Sequence, residues 1–390
     1  MPWRTATVET ERARFVIEAE LSDLSHAELC RRHHISRPTG YKWIRRYREK
    51  GLQGLEDRSH RPRSCPHATS QPVVDRILAI RKKRGWGAKK IRAKLERDPS
   101  IDPVPSIDTI GRILQRHGCV EARKPRRRRT SPGPPLPILP EPNATWTADF
   151  KGEFRTQDGK LCFPLTVQDG HSRFLLECRG LLRLDLQATV RRFRHVFRDV
   201  GLPRRIRTDN GHPFASTAIA GLSQLSVWWI SLGIVPELIE PGKPQQNGRH
   251  ERMHRTLKER TASPPRANLR SQQLRFDQFR RVYNYERPHE ALQMETPAAL
   301  YRPSSRPFTD RPDPLEYPGH FEIRRVSGDC TLRWNGRKVF VSSLLKKRSV
   351  ALEQVGDGVW SVFFGPVHLG WLDESDYRIM DVKDRAQRRR

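Results

Sequence analysis

With 390 residues the chain exceeds what one hydrophobic core serves well and suggests roughly three to five modules. Its 74 Lys and Arg against 44 Asp and Glu give a formal charge of +30, far beyond the needs of solubility, which points to a polyanionic partner and to nucleic acid first. No run of about 18 apolar residues is present to span a bilayer, and the first thirty residues lack the apolar stretch of a secretory signal, so no membrane partner and a cytoplasmic, nucleoid-associated location are expected. Six scattered cysteines without a Cys-x-x-Cys pair argue against a disulfide scaffold or a Cys-rich zinc module.

Residues 1–65 read as a first DNA-binding domain. A helix is expected over 9–20. Ser25 and Glu28 have the spacing of a capping box and open a short helix through Arg32. Ser36 caps a third helix, with Pro38 in its first turn and Gly51 past its end. On that helix Tyr41, Ile44 and Tyr47 recur at three- to four-residue spacing and mark the inward face. Arg37, Thr39, Lys42 and Arg45 project elsewhere and are the candidate DNA contacts of a helix-turn-helix whose last helix enters the major groove. A three-helix bundle with a solvated basic face would share this pattern.

Residues 66–120 read as a second helix-turn-helix-like domain, with helices over 72–84, 88–96 and 107–117. A basic and proline-rich linker, 121–142, follows; its block Arg126, Arg127, Arg128 and Arg129 is expected along phosphates, ahead of a semi-rigid spacer. Over 143–303 the pattern changes to strands at 145–151, 161–168 and 172–179, a helix at 185–200, a strand at 205–208, a helix at 225–232, a strand at 234–239 and a long helix from about 247. That order implies a mixed α/β sheet of the ribonuclease H type. Short strands over 318–380, with an Asn335-Gly336 hairpin, suit a small β-barrel, and 381–390 is a basic tail.

Three carboxylates stand out by their settings. Asp149 lies mid-strand among Trp146, Ala148 and Phe150, Asp209 stands where a strand ends in an Asn-Gly turn, and Glu251 lies in the first turns of a helix. A phosphodiester repels nucleophiles and has a poor leaving group, and two metal ions about 3.5–4 Å apart address both problems. Such ions prefer hard anionic oxygens. Without them, gathered carboxylates repel by roughly 3–4 kcal/mol per close pair at an effective dielectric near 20. Arg255 and Lys258 follow Glu251 on its helix, where they are placed to hold a DNA backbone. His250 and His254, which flank Glu251, suit core or DNA contacts better than metal ligation, and Trp228-Trp229 suit core packing.

Asp149 in WTADFKG, Asp209 in RTDNG and Glu251 in PGKPQQNGRHERMHRTLK resemble the three-acid motif of transposases and integrases that share the retroviral-integrase core. The stretch YNYERPHEALQMETPAALY is similar to the segment that closes this core in bacterial insertion-sequence transposases. The resemblance covers about 143–301. It implies that the three acids bind two Mg²⁺ or Mn²⁺ ions per site, that Lys258 contacts DNA, and that Gln245 and Asn247 belong to a loop near the active site. It further implies a transposase that binds the terminal inverted repeats of its element, hydrolyses a strand at each end and joins the 3′ ends to target DNA by direct transesterification. Joining two ends requires a homo-oligomer, at least a dimer, on double-stranded DNA. A DNA-binding regulator that keeps the fold without catalysis, and a nuclease without strand transfer, are the competing classes. The 41 residues between Asp209 and Glu251 (210–250) exceed the spacing of the best-known members, which implies an insertion within 216–229. The helix-turn-helix front, in place of a zinc module, points to the bacterial branch.

Overall fold

The computed structural model describes residues 7–57, 68–120, 139–240 and 244–382; the block Arg126, Arg127, Arg128 and Arg129, the side chain of Gln245 and the basic tail from 383 lie outside the described positions. Two compact units form, Met1–Ser70 and Gln71–Arg390.

The smaller unit consists of α1 (Val8–Leu21), α2 (His26–Arg32), α3 (Arg37–Lys50) and a 3₁₀ turn, Gly51–Leu55. Thr7, Ser25 and Ser36 cap the three helices by accepting the N–H three residues on. Phe15, Val16, Leu29, Cys30, Trp43 and Leu55 form the core. The inward face of α3 differs from the expected one. Gly40 and Trp43 are buried and Ile44 and Tyr47 are half-buried, whereas Tyr41 is exposed and stacks on His26 with ring centroids 3.8 Å apart. The cause is close helix approach: a Cβ on Gly40 would lie 2.6 Å from Cys30 Sγ.

The larger unit opens with α4 (Gln71–Arg84), α5 (Ala88–Leu95) and α6 (Ile107–Arg116), packed around Ile77, Ile91, Leu95 and Ile110. The central layer then runs β1 (Thr145–Phe150), β2 (Phe154–Arg155), β3 (Leu161–Asp169), β4 (Leu175–Leu181), α7 (Leu186–Val200), β5 (Arg205–Thr208), α8 (Gln224–Ser231), β6 (Val235–Leu238), α9 (Gly248–Leu257), a π turn at Lys258–Ala262, α10 (Leu269–Tyr285) and α11 (Pro297–Leu300). β1 pairs antiparallel with β3, which also carries β4 and the short β2; on its other side β1 pairs parallel with β5, and β5 with β6. Strand alternation sends Trp146, Ala148, Leu165 and Val167 to one face, against Phe193 and Phe197 of α7 and Trp229 of α8. The opposite face, with Cys162 and Cys178, packs on Met253 and Leu257 of α9 and Phe276 of α10. Trp229 is fully buried, as expected for packing.

Helices α4–α6 are anchored to this core. Val282 of α10 packs on their cluster, Arg84 pairs with Glu286, and Arg97 Nη2 donates to Glu295 Oε2 at 3.0 Å.

The C-terminal strands are β7 (Glu322–Arg325), β8 (Thr331–Trp334), β9 (Arg337–Phe340), β10 (Ser349–Gly356), β11 (Val359–Phe364), β12 (Val367–Asp373) and β13 (Arg378–Asp381). They do not close into the expected barrel. The order β13-β12-β11-β10-β7 leaves β7 and β13 as edges, and β8 and β9 pair only with each other. Side chains tie this hairpin to the five-stranded sheet: the Trp334 and Trp360 indoles donate to Glu374 Oε1 at 2.8 and 2.9 Å. Leu222, Val227 and Ile230 of the central layer share the core of this sheet, and the Ala220 N–H donates to Asp381 Oδ2 at 3.0 Å. The long segment between Asp209 and Glu251 is therefore the seat of the C-terminal sheet.

Asn143, at φ +63°, ties the two ends of the central layer together. Its Oδ1 accepts from Trp146 Nε1 (3.0 Å) and Tyr301 OH (3.1 Å), its Nδ2 donates to Arg302 O (2.8 Å), and its N–H donates to the buried Asp169 carboxylate (2.8 Å). Asn143→Ala strands two buried donors and is expected to cost about 2–4 kcal/mol in denaturant unfolding. A loss below about 0.5 kcal/mol would show that this network does not hold the ends.

Candidate active site

β1 delivers Asp149 from the sheet face that α9 covers, the face it shares with Thr147. In the ladder Asp149 lies opposite Thr166 of β3, and Thr147 opposite Gln168. Two histidines of α9 dock on these strands. His250 Nδ1 lies 2.7 Å from Thr147 Oγ1 and its Nε2 lies 2.7 Å from Thr166 Oγ1; His254 Nε2 lies 2.7 Å from the same Thr166 oxygen. Thr166 also donates to the Asp149 carbonyl at 3.0 Å. A hydroxyl has one proton and two lone pairs, so all three contacts are met together only if both imidazoles donate Nε2–H into Thr166. His250 then has no lone pair to spare, because its Nδ1 takes the single proton of Thr147 Oγ1 at 2.7 Å in preference to the Gln168 carbonyl at 3.3 Å. His254 Nδ1 is left as an acceptor facing Asp149 Oδ2, 3.6 Å away.

Burial pushes His250 down to about 3, and burial together with His250 pushes His254 further below the usual imidazole range. Both rings are neutral at physiological pH, so the approach of His254 to Asp149 is not an ion pair. Two facing acceptors leave a place for a cation or a shared proton. The contact and core roles expected of these histidines agree with this geometry. Asp149, His250 and His254 also place donor atoms within 4.8 Å of one another, but the commitments of His250 leave only Asp149 and His254 Nδ1 of that set open to an ion.

Asp209 follows β5 directly. Its Oδ1 accepts from the Gly211 N–H at 3.1 Å, and Asn210 Nδ2 donates to Ile239 O at 2.9 Å, which fixes the turn on the end of β6. Arg207 reaches across β6 to Glu237 Oε1 (3.0 and 2.8 Å) and to Gln246 O (3.4 Å), and so ties β5 to the turn that opens α9. Glu251 is exposed near the start of α9, with Arg255 and Lys258 exposed beyond it. Asn247 is buried at the N-cap of α9, with Oδ1 unpartnered among the described residues.

Asp149 feels the charge of both other carboxylates. Asp149 is raised to about 7, first by burial, then by the charge on Asp209, with a smaller contribution from Glu251; the Phe150 N–H and Lys151 oppose the rise. Hard anionic oxygens gathered at such a cost fit a divalent cation.

In the smaller unit, Arg37, Lys42 and Arg45 are exposed on α3, while Thr39 is half-buried with its hydroxyl 2.8 Å from that of the cap Ser36. Lys42 lies over the Trp43 ring at 4.6 Å. The residues that sequence reading passed over are Thr147 and Thr166; Thr147 was discoverable from strand alternation, since it shares a face with Asp149, whereas the pairing of Thr166 required the ladder register.

Residues 232–297 match the integrase core domain family, residues 39–114 a homeodomain-like domain and residues 11–63 a helix-turn-helix domain. The integrase match contains Glu251, and Asp149 and Asp209 lie outside it. The chain is similar to the insertion element IS407 uncharacterized 31.7 kDa protein of Burkholderia multivorans, at 26% identity over 255 residues, which cover 60% of this chain and 85% of that protein. It is likewise similar to the insertion element IS476 uncharacterized 39.2 kDa protein of Xanthomonas euvesicatoria, at 26% identity, covering 63% of this chain and 69% of that protein. Among solved structures, it is similar to a chain of a simian T-cell lymphotropic virus intasome (17% identity, 75% of this chain and 97% of that one, TM-score 0.38). It is also similar to the HTLV-2 integrase catalytic core in complex with magnesium (16% identity, 42% and 99%, TM-score 0.34). The class is that of DNA polynucleotidyl transferases. Integrase core and helix-turn-helix domains in one chain, with similarity to insertion-element proteins, support an insertion-sequence transposase with an integrase-type core.

A carboxyl raised to about 7 in the fold, against its ordinary value of 3.8, favours the folded state when protonated. Stability from this group is therefore fully present below about pH 4 and is lost as pH rises toward 7, by up to about 4 kcal/mol. Metal-free Asp149→Asn is expected to melt a few degrees above wild type at pH 8 and level with it near pH 4. Mg²⁺ or Mn²⁺ should raise the melting temperature of wild type more at pH 8 than at pH 5.5, and that of the variant little at either. Equal melting of the two metal-free proteins at pH 8 would contradict the assigned cost.

Proposed function

We propose that this protein binds the terminal inverted repeats of its own mobile element, hydrolyses one strand at each end and joins the freed 3′ hydroxyls to target DNA by direct transesterification. The observation that carries this reading is that the charges of Asp209 and Glu251 both bear on the buried Asp149, the three being carried by a strand, the residue after a strand and a helix. Asp149, Asp209 and Glu251 would hold two Mg²⁺ or Mn²⁺ ions, which when bound supply activation of the attacking oxygen and stabilisation of the leaving one. The pair of neutral imidazoles keeps α9 docked on β1 and β3, so that Glu251 is held in position relative to Asp149. Arg255 and Lys258, exposed beyond Glu251, hold the backbone of the reacting strand.

Arg37, Lys42 and Arg45 present the exposed basic face of α3 to the repeat, with Thr39 beside them, and Arg126, Arg127, Arg128 and Arg129 add phosphate contacts. Gln245 and Asn247 belong to the turn that leads into α9. The buried Oδ1 of Asn247, without a partner among the described residues, is an acceptor left open beside the site. The modules 1–65, 66–120, 143–303 and 318–380 divide the labour between repeat binding, catalysis and assembly. Uniting two ends requires at least a homodimer, acting on the nucleoid. Among the described residues no helix is long and apolar enough to cross a membrane.

Purified protein with Mg²⁺, labelled element ends and a plasmid target should yield recessed ends and joined product. Alanine at Asp149, Asp209 or Glu251 should lower joining by roughly 10³-fold or more. Joining that persists in Asp149→Ala would sink this reading, and cleavage without any joined product would favour a nuclease.

A further inference from the structure

Behind α9, between the helices α4–α6 and the central layer, lies a cavity of about 300 Å³. Lys90 of α5, Arg173 of the turn before β4, Arg252 and Arg255 of α9, and Arg287 and His289 after α10 line it, and Glu290 is its one acid. Glu290 is already engaged by Lys89 at 3.6 Å. Among the described residues neither Lys90 nor Arg287 has a salt-bridge partner, and each is only partly exposed. His289 Nε2 is buried without a hydrogen-bond partner. Burial, then the neighbouring Arg287, pushes Lys90 down to about 8; burial, then other arginines, pushes Arg173 down to about 10. Cations held together in this way repel one another and weaken the fold unless an anion joins them. The anchoring of α4–α6 does not require them, since Arg84, Arg97 and Val282 serve that purpose.

The cavity is also placed to meet the reacting strand. Arg252 and Thr256, one turn apart, face it; Glu251 and Lys258 lie further around the helix, and exposed Arg255 stands between the two faces. A track of cations thus crosses α9 from the candidate active site to the cavity.

We propose that this cavity is a socket for a backbone phosphate of the DNA strand that leaves the active site, with Lys90, Arg252 and Arg287 as its donors. The inference rests on the DNA-joining reading above and adds to it a second binding site, formed only because the helical unit and the core are packed together.

The test measures binding of the full chain to a fluorescein-labelled duplex of arbitrary sequence, without divalent cation, over a series of salt concentrations; phosphate contacts do not read sequence. Lys90→Gln/Arg287→Gln is expected to weaken binding about tenfold at low salt and to flatten the plot of log affinity against log salt by between about one and two units. Its melting temperature should equal or exceed that of wild type, since like charges are removed. Arg252→Gln, at an exposed position, should weaken binding several-fold and guards against a folding defect in the double variant. Unchanged affinity and slope in both variants would overturn the socket while wild-type joining, measured on the same preparations, left the reaction standing. Wild-type DNA binding combined with lost stabilisation by inorganic sulfate would also overturn it, by assigning the cavity to a small free anion. Joining that survives Asp149→Ala would instead defeat the reaction and leave the binding result to be judged alone.

Discussion

A single hydroxyl, Thr166 Oγ1, joins the strand that carries Asp149 to the helix that carries Glu251. It touches the Asp149 carbonyl and the Nε2 atoms of His250 and His254, all within 3.0 Å. The contact works because both rings stay neutral, and they stay neutral because the helix is packed tightly enough to exclude water from them. Position and burial thus support each other: loosen the helix, and the rings can take up protons that the pocket cannot accommodate. On the other flank Arg207 does comparable work with charge, by gripping Glu237 and the Gln246 carbonyl. These two clamps hold the strands and the helix that carry Asp149, Asp209 and Glu251.

The protein carries +30 overall and yet gathers acids at its candidate active site. Such a basic surface draws a polyanion from any direction, whereas the acids would turn the same polyanion away from the reacting point unless cations intervene. The field therefore makes approach general and contact at the centre conditional. The exposed Arg255 and Lys258 lie at this transition, on the helix that bears the third acid.

Much of this was legible in the sequence because its signals are local. Capping residues at Ser25 and Ser36 marked helix starts, and the settings of Asp149, Asp209 and Glu251 were strand, strand end and helix start, as found. What escaped was non-local. The partners of His250 lie 103 and 84 residues away, in strands whose register no local pattern discloses. Tyr41 appeared to belong inside because period alone does not register that Gly40, with no side chain, allows α2 to approach until Trp43 takes the interior. Short edge strands such as β7 and β13 are polar and half-exposed, and whether edges meet to close a barrel depends on pairing between distant segments.

The seat beneath the C-terminal sheet has a consequence for how such chains diverge. Leu222, Val227 and Ile230 belong at once to the stretch between two acids and to the core of the last module, so one apolar surface answers to two neighbours. A sheet borrowed from a relative with a shorter stretch would arrive without its floor, and a stretch trimmed to a relative's length would leave the sheet's underside wet. Substitutions on either side are tolerable only in concert. The distance between the second and third acids, which reads along the chain as mere spacing, is then also the length of chain that floors the C-terminal sheet.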